Sequence, residues 1–267
     1  MEFRTIVEIV DPGFRIGPCE EMLFVGSCFA SEIGRRFQDE KFRAVVNPYG
    51  VMYNPASILH TIEKIKGSFS TAFLTLGTNH VYRLRETGEI VDNCEKRPQS
   101  LFTEEELTVD ECADYLQKAI AILRENNPDI RIVLTVSPIR YRKYGYHGSQ
   151  LSKATLLLAV QEVCASLRES VSYFPAYEIV NDELRDYRFY KPDMLHPSDQ
   201  AVEYIWQRLY ETSLSDEAKA FIQEWAPLKS ALKHKPFDAE SEEYKAFMHK
   251  IMLKVEALKE KYPTFVI

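Results

Sequence analysis

A serine lies where a predicted strand ends and a predicted helix begins. Residues 22–25, Met-Leu-Phe-Val, predict a buried strand, and Phe29, Ile33 and Phe37 follow at the spacing of one helix face. We therefore expect the hydroxyl of Ser27 to lie near the positive end of the helix dipole, with its backbone N–H available to a developing oxyanion. This position makes Ser27 the candidate nucleophile. The alternative is that Ser27 only caps the helix.

The pattern Asp193-x-x-His196 supplies a general base and the carboxylate that orients it. A histidine takes the proton of an attacking hydroxyl and returns it to the leaving group, while a carboxylate on its other ring nitrogen fixes the tautomer. An ordinary surface loop, with Pro197-Ser198 starting the next helix, is the competing interpretation. No second histidine stands at ligand spacing, so we expect no metal, and ester hydrolysis by a serine and a histidine needs no organic cofactor.

The candidate oxyanion hole consists of the backbone N–H of Ser27, the backbone N–H of Gly50 and the side-chain amide of Asn79. Glycine and asparagine are also ordinary turn residues, so a structural interpretation competes for Gly50 and Asn79. Asn54 precedes Pro55 and fits a helix N-cap. We therefore leave Asn54 outside the catalytic set.

Cys28 is a competing nucleophile, because a thiol at a helix start is also a reactive group. Neighbouring residues at a strand–helix junction point in different directions, so we expect only one of Ser27 and Cys28 to face His196. The helix pattern that begins at Phe29 indicates a buried face nearby. We predict that Ser27 is the residue that faces the histidine.

A cluster of basic and aromatic residues follows the fourth predicted strand, and we expect it to form a loop. The cluster consists of Arg140, Tyr141, Arg142, Lys143, Tyr144, Tyr146 and His147. Such residues either line a pocket for a polar or anionic acyl acceptor or form a solvated loop. His80, next to Asn79, is a candidate for the border of the same site.

Alternating strand and helix patterns are expected to bring these residues together. Short apolar runs are separated by segments of helical periodicity, which predicts a parallel sheet with helices on both faces. Ligands of such sheets bind beyond the carboxyl ends of the strands, where the candidate residues follow. A hairpin is predicted around residues 86–88. The apolar runs are residues 22–25, 44–46, 72–76, 132–136 and, more weakly, 171–174.

The 267 residues fit one α/β domain, predicted over residues 1–214, followed by a helical extension over residues 215–267 that prolines break at 227, 236 and 263. A net charge of −7 argues against a nucleic-acid partner. The five cysteines are scattered, which indicates reduced thiols. With no signal-peptide pattern and no membrane-length apolar run, we expect a cytoplasmic protein without a membrane partner. The sequence does not indicate an oligomeric state.

Several motifs occur in a specific order over roughly residues 3 to 212: Gly26-Ser-Cys-Phe-Ala30, residues 47–55, 75–78, 136–138 and 173–178, and the Asp193–His196 loop. This series resembles the GSCFA family, which is similar to the wider SGNH (GDSL-like) hydrolases. The resemblance implies a three-layer α/β/α fold with a flavodoxin-like parallel sheet. It also implies that Ser27 is the first-block serine, with Gly50 and Asn79 as the second- and third-block residues and Asp193 and His196 as the fifth.

The first block departs from the SGNH pattern. Residues 26–28 read Gly-Ser-Cys where those hydrolases have Gly-Asp-Ser, so a letter-by-letter alignment puts Ser27 in the place of the aspartate. Aligning serine with serine instead puts Gly26 directly before it and loses the aspartate. The third block continues Asn79-His80 where many relatives have Asn-Asp.

The expected function is hydrolysis of an ester, with a carbohydrate O-acetyl group as one example, through an acyl-Ser27 intermediate. His196 acts as base and then acid, and Asp193 orients it. The expected partner is a small-molecule or carbohydrate ester. The alternatives are acyl transfer to an alcohol and a non-catalytic carbohydrate-binding module on the same scaffold.

Overall fold

The computed structural model describes residues 4–92, 94, 97–167, 170–237 and 240–267. Strands and helices alternate along them. The strands are β1 (Glu21–Gly26), β2 (Arg43–Val46), β3 (Thr71–Leu76), β4 (His80–Leu84), β5 (Ile90–Val91), β6 (Phe102–Glu106), β7 (Arg131–Val136) and β8 (Val171–Tyr173). The helices are α1 (Cys28–Asp39), α2 (Pro55–Lys64), α3 (Val109–Asn126), α4 (Gly145–Ser166), α5 (Ala176–Glu178), α6 (Asp199–Ser213), α7 (Asp216–Lys233) and α8 (Glu242–Lys261).

The main sheet of the described residues has five parallel strands in the order β2-β1-β3-β7-β8. Side chains alternate across it, so Leu23 and Val25 of β1 face one side while Met22 and Phe24 face the other. The rings of Phe24 and Phe73 stack with centroids 4.8 Å apart. The apolar runs of the sequence correspond to these strands, and the predicted parallel sheet is confirmed.

Helices cover both faces of this sheet, which makes three layers. Helices α2, α3 and α4 contribute to the apolar core on the side of Leu23 and Val25. Helices α1, α5 and α6 contribute to the core on the other side, where Phe37 packs edge-on against Trp206. The predicted α/β class is therefore correct.

A smaller antiparallel sheet is formed by the part of the chain between β3 and α3. In the described residues its strand order is β5-β4-β6. The β4–β5 hairpin around residues 86–88 was predicted. Strand β6 was not, because residues 103–106 read Thr-Glu-Glu-Glu and show no apolar alternation. This strand is held to β4 by backbone pairing instead.

Side-chain caps start the helices next to the site. The Oδ1 atom of Asn54 accepts the backbone N–H of Ser57 at 2.9 Å, which confirms the interpretation of Asn54 as an N-cap. Thr108 and Glu111 form a capping box at the start of α3. These caps determine where each chain segment leaves the sheet edge.

Helices α7 and α8 pack together around a separate apolar cluster that includes Phe221, Trp225 and Val255. The indole N–H of Trp225 donates to the carbonyl of Asp39, the last residue of α1. Since α1 begins at the carboxyl end of β1, this contact places the extension at the opposite end of the sheet. The division at residue 214 stays a prediction.

Pro227 does not break the extension as predicted, because it lies inside α7. Both Pro227 and Gln223, whose carbonyl loses its helical donor, are exposed, so water can replace the missing hydrogen bond. In the described ranges, none of the helices combines the length and apolar character needed to cross a bilayer.

Candidate active site

The turn between β1 and α1 requires a glycine. Gly26 has a φ of +142°, and a Cβ on it would lie 2.1 Å from the carbonyl oxygen of Thr75. Its N–H donates to the side-chain oxygen of Asn47 at 2.9 Å. This close approach of two backbones determines the directions of the next two side chains.

Ser27 is 0% exposed, and its hydroxyl accepts the N–H of Phe29 at 3.3 Å. Its own N–H donates to the carbonyl of Thr75 at 3.1 Å. The expectation that this N–H serves an oxyanion is therefore wrong, and the hydroxyl is closed to a substrate. Both groups are buried in the turn, and the structure supports the alternative of an N-cap.

Cys28 is the first residue of α1, and it is half-buried. Its Sγ lies 4.0 Å from the hydroxyl of Tyr53. At this helix position the backbone N–H has no intrahelical acceptor, and among the described residues it has no other partner. A thiol and an available N–H therefore occupy the start of α1.

Asp193 and His196 form the predicted pair. The Oδ2 atom of Asp193 lies 2.6 Å from Nδ1 of His196, and Oδ1 accepts the backbone N–H groups of Leu195 and His196. The backbone N–H of His196, then that of Leu195, then the imidazole lower the pKa of Asp193 to about 2. The carboxylate is thus ionised at neutral pH, and Nε2 of His196 is left for another partner.

The loop that carries His196 is attached to α1. The backbone N–H of Lys191 donates to the carbonyl of His196 at 2.7 Å, and its ammonium group lies 3.4 Å from the carboxylate of Glu32. Glu32 is one helical turn beyond Cys28 and therefore on the same face of α1. The imidazole loop and the thiol share one edge of the sheet.

The same loop is held from its other side by the segment after β7. The N–H of Arg140 donates to the carbonyl of Leu195 at 3.0 Å, and its guanidinium donates to that of Met194 at 3.1 Å. Met194 has a backbone φ of +60°, which is uncommon for a residue other than glycine. Arg140 therefore supports the Asp193–His196 turn.

The predicted oxyanion donors are engaged elsewhere. The N–H of Gly50 donates to the carbonyl of Asn47 at 2.9 Å. The side-chain amide of Asn79, which is 2% exposed, donates to the carbonyl of Leu107 at 2.8 Å and so ties the end of β3 to the segment before α3. The N–H of Ser27 is also engaged, so these three residues do not form the predicted oxyanion hole.

Tyr141 lies against Gly77 at the end of β3. A Cβ on Gly77 would lie 2.3 Å from the Tyr141 hydroxyl, which is buried and has no hydrogen-bond partner within the described ranges. Its ring meets that of Tyr53 edge-on, with centroids 6.1 Å apart. Burial, followed by Tyr53 and Cys28, raises the pKa of Tyr141, so the hydroxyl stays protonated.

Lys153 was missed by sequence reasoning. Its side chain is buried, and its ammonium group donates to the carbonyl of Gly77 at 2.6 Å and to that of Ser137 at 2.7 Å. Burial lowers the pKa of Lys153 to about 7. These bonds join the ends of β3 and β7 beneath the site. A lysine within a helical pattern is usually exposed, so the sequence gives no sign that Lys153 is buried.

The predicted loop after β7 is only partly a loop, because α4 begins at Gly145 and includes Tyr146 and His147. Gly145 and Gly148, both poor helix formers, obscured this start. Lys143 pairs with Glu104 at 2.7 Å.

Two further members of this cluster stack on neighbouring rings. The ring of Tyr144 stacks on His80 at 3.5 Å, and the guanidinium of Arg140 lies 4.2 Å from the ring of Tyr146. Among the described residues, no group of three or more His, Cys, Asp or Glu side chains is arranged to hold a metal ion.

Comparisons with known proteins agree with this architecture. The family model described as the GSCFA family matches residues 21–72 and 66–209, and that described as GSCFA domain protein, C-terminal domain, matches residues 225–266. A solved protein from Lactobacillus plantarum is similar in fold, with a TM-score of 0.51 at 13% identity over 73% of this chain and 97% of its own. No curated protein matches the sequence.

Two other solved structures have related descriptions. One is a member of the lipolytic protein G-D-S-L family from Veillonella parvula, with a TM-score of 0.47 at 12% identity over 72% of this chain and 96% of its own. The other is a mutant of Axe2, an acetyl-xylooligosaccharide esterase from Geobacillus Stearmophilus, with a TM-score of 0.48 at 12% identity over 74% and 96%. On the matches to both family models, the chain belongs to the GSCFA family.

Proposed function

We propose that this protein is an acyl-ester hydrolase in which Cys28 is the nucleophile, His196 the general base and Asp193 the residue that orients it. The observation that carries this proposal is the opposite exposure of two adjacent residues. The hydroxyl of Ser27 is buried as a helix cap, whereas the thiol of Cys28 lies on the helix face that leads to the His196 loop. A nucleophile must be reachable by its substrate, and only the thiol meets this condition.

The departure of the first block supports the same assignment. In the letter-by-letter alignment, Ser27 takes the place of the aspartate and Cys28 takes the place of the SGNH serine. That alignment gives each residue a role consistent with its contacts, since Ser27 accepts a cap hydrogen bond and Cys28 faces outward. Aligning serine with serine would require a buried nucleophile.

The reaction follows from the groups at the start of α1. The Sγ atom of Cys28 attacks the ester carbonyl carbon while His196 takes the thiol proton, and Asp193 stabilises the resulting imidazolium. The backbone N–H of Cys28 donates to the carbonyl oxygen as negative charge develops on it. His196 then gives the proton to the leaving alkoxide, which departs as an alcohol and leaves a thioester on Cys28. Water attacks the thioester, His196 takes its proton, and Sγ leaves as the acid is released.

The test is to trap and locate the acyl group. Protein is mixed with p-nitrophenyl acetate, digested at low pH, and the modified peptide is identified by mass spectrometry. We expect an acetyl group on Cys28, and we expect Cys28→Ala to lose both adduct and turnover. Ser27→Ala should keep the adduct and lose about 1 kcal/mol of stability, the usual value of a helix cap.

A second half-buried cysteine provides the matched control. Burial raises the pKa of Cys164 to about 11, so Cys164→Ala should leave both adduct and turnover unchanged. An adduct on Ser27, or turnover that survives in Cys28→Ala, would reject the nucleophile. The absence of an adduct and of turnover with every ester tried would reject the hydrolase and favour a binding module.

A further inference from the structure

A cavity of about 630 Å³ lies beside the proposed nucleophile. Its walls come from the segment before α2, from strands β4 and β5 of the small sheet, and from the segment after β7. Tyr53 forms part of the wall, and its hydroxyl lies 4.0 Å from Sγ of Cys28. A group held in this cavity would therefore be adjacent to the thiol. The small antiparallel sheet, which the parallel fold does not need, supplies one wall.

Flat rings and aliphatic side chains make up much of the lining. The rings among the described residues are those of Tyr53, His80, Tyr82, Tyr141 and Tyr144. Tyr53 meets Tyr141 edge-on, and His80 stacks on Tyr144. Val51 and Val91 add aliphatic surface. Burial lowers the pKa of His80, so its ring is neutral at neutral pH and adds no charge to the wall.

Four polar side chains of the lining, those of Asn54, Thr78, Asp92 and Lys143, are already paired with the protein. Asn54 accepts from Ser57 and donates to the carbonyl of His80 at 3.2 Å. Asp92 lies 2.7 Å from Nδ1 of His60 and is also bonded to Lys64. These bonds hold both side chains in the wall of the cavity.

The same holds for two further polar residues of the lining. Thr78 is bonded to Ser152 at 3.0 Å, and Lys143 is paired with Glu104.

We propose that this cavity binds an aromatic acyl group of the ester, with its carbonyl carbon directed at Cys28. Planar rings pack well against the offset and edge-on rings of the wall. The hydroxyl of Tyr53 lies 4.0 Å from the thiol, and the hydroxyl of Tyr141 has no hydrogen-bond partner within the described ranges, so a single oxygen on the ligand suffices to use them. The volume lies in the range of pockets for ligands far larger than an acetyl group. Binding by the cavity stands on its own, while its effect on turnover rests on the proposed function.

The test uses Val91, which is part of the lining and outside the catalytic set. Val91→Trp fills the cavity, and Val91→Ala enlarges it. With the unmodified protein, methyl cinnamate should be hydrolysed with kcat/KM at least about tenfold higher than that of methyl acetate, a discrimination usual for a filled apolar pocket. Val91→Trp should lose at least about tenfold on methyl cinnamate and stay within about twofold on methyl acetate. Val91→Ala should keep the preference for methyl cinnamate. This result would show that the loss in Val91→Trp comes from filling the cavity and not from any substitution at residue 91.

Direct binding separates this inference from the proposed function. Cinnamyl alcohol, which cannot be hydrolysed, should perturb NMR signals of Cys28→Ala, and the perturbation should disappear when Val91→Trp is added. Binding without turnover of any ester would keep the aromatic site and reject the hydrolase. Equal losses on both esters in a folded Val91→Trp protein, no preference for the aromatic ester, or a stronger preference for an acetylated monosaccharide would overturn the aromatic site.

Discussion

Lys153 is a buried cation whose cost should be visible in the pH dependence of folding. Burial takes its pKa from 10.5 to about 7. At 1.36 kcal/mol per pH unit, this corresponds to about 5 kcal/mol against folding when the amine is charged in both states. Hydrogen bonds to Gly77 and Ser137 keep the group in place despite this cost.

The direction follows from where the proton is lost. Below pH 7 the folded and unfolded chains both carry the ammonium, so the full cost is present. Between pH 7 and 10.5 the folded chain has released a proton that the unfolded chain keeps, so Lys153 makes the free energy of unfolding rise with pH. From pH 7 to pH 9 this contribution amounts to about 2 kcal/mol. Above pH 10.5 the cost is gone.

The perturbation is Lys153→Met, which keeps the length and removes the charge. In this variant the carbonyls of Gly77 and Ser137 lose their donor, at about 1–3 kcal/mol each, which offsets the stability gained at pH 7 by removing the buried charge. The diagnostic quantity is therefore the change in the free energy of unfolding between pH 7 and pH 9. Urea unfolding at pH 7 and pH 9 should show a rise about 2 kcal/mol smaller in the variant than in the unmodified protein.

Groups common to both proteins cancel in this comparison, including Cys112, whose pKa burial raises to about 12. Lys66→Met, at an exposed lysine, is the matched control and should leave the rise unchanged. If Lys153→Met shows the same rise as the unmodified protein, the amine is not a buried charge and the reasoning fails.

Three further predictions concern the Asp193–His196 pair, the turn at Gly26 and the helical extension. Asp193→Asn should lower kcat/KM about 10³–10⁴-fold with an unchanged melting temperature, because the imidazole loses its orienting charge; a loss below about tenfold would exclude that role. Gly26→Ala should cost about 3 kcal/mol or more in urea unfolding, since a Cβ would meet the carbonyl of Thr75 at 2.1 Å, and a normal unfolding midpoint would contradict this. Trp225→Ala should cost about 3–5 kcal/mol while kcat/KM of the folded fraction stays unchanged; altered kinetics would mean that the extension reaches the site.

The strands of the main sheet were predictable because each contains a short apolar run, and the three central strands, β1, β3 and β7, are buried on both faces. The helix starts at Asn54 and Thr108 were also predictable, since their caps depend on residues only three positions apart. Strand β6 was not, because three of its five residues are glutamates and its backbone pairing to β4 leaves no apolar pattern in the sequence. The omission had a consequence for the site, since the segment after β6 supplies the Leu107 carbonyl that takes the amide of Asn79.

The order of roles at residues 26–28 depends on a tertiary contact that no local pattern reveals. Spacing alone indicates a strand end and a helix start, but the φ of Gly26 and its approach to Thr75 decide that the next side chain turns inward. The buried position must supply an oxygen that accepts the N–H of Phe29, and aspartate and serine are both favoured caps. Replacing Gly-Asp-Ser by Gly-Ser-Cys therefore keeps an oxygen acceptor at the cap and, under the proposed function, a nucleophile at the next position. On this reasoning Ser27→Asp should preserve the cap and the acyl adduct on Cys28, whereas Cys28→Ser should restore the usual hydroxyl nucleophile and move the adduct from sulfur to oxygen at the same residue.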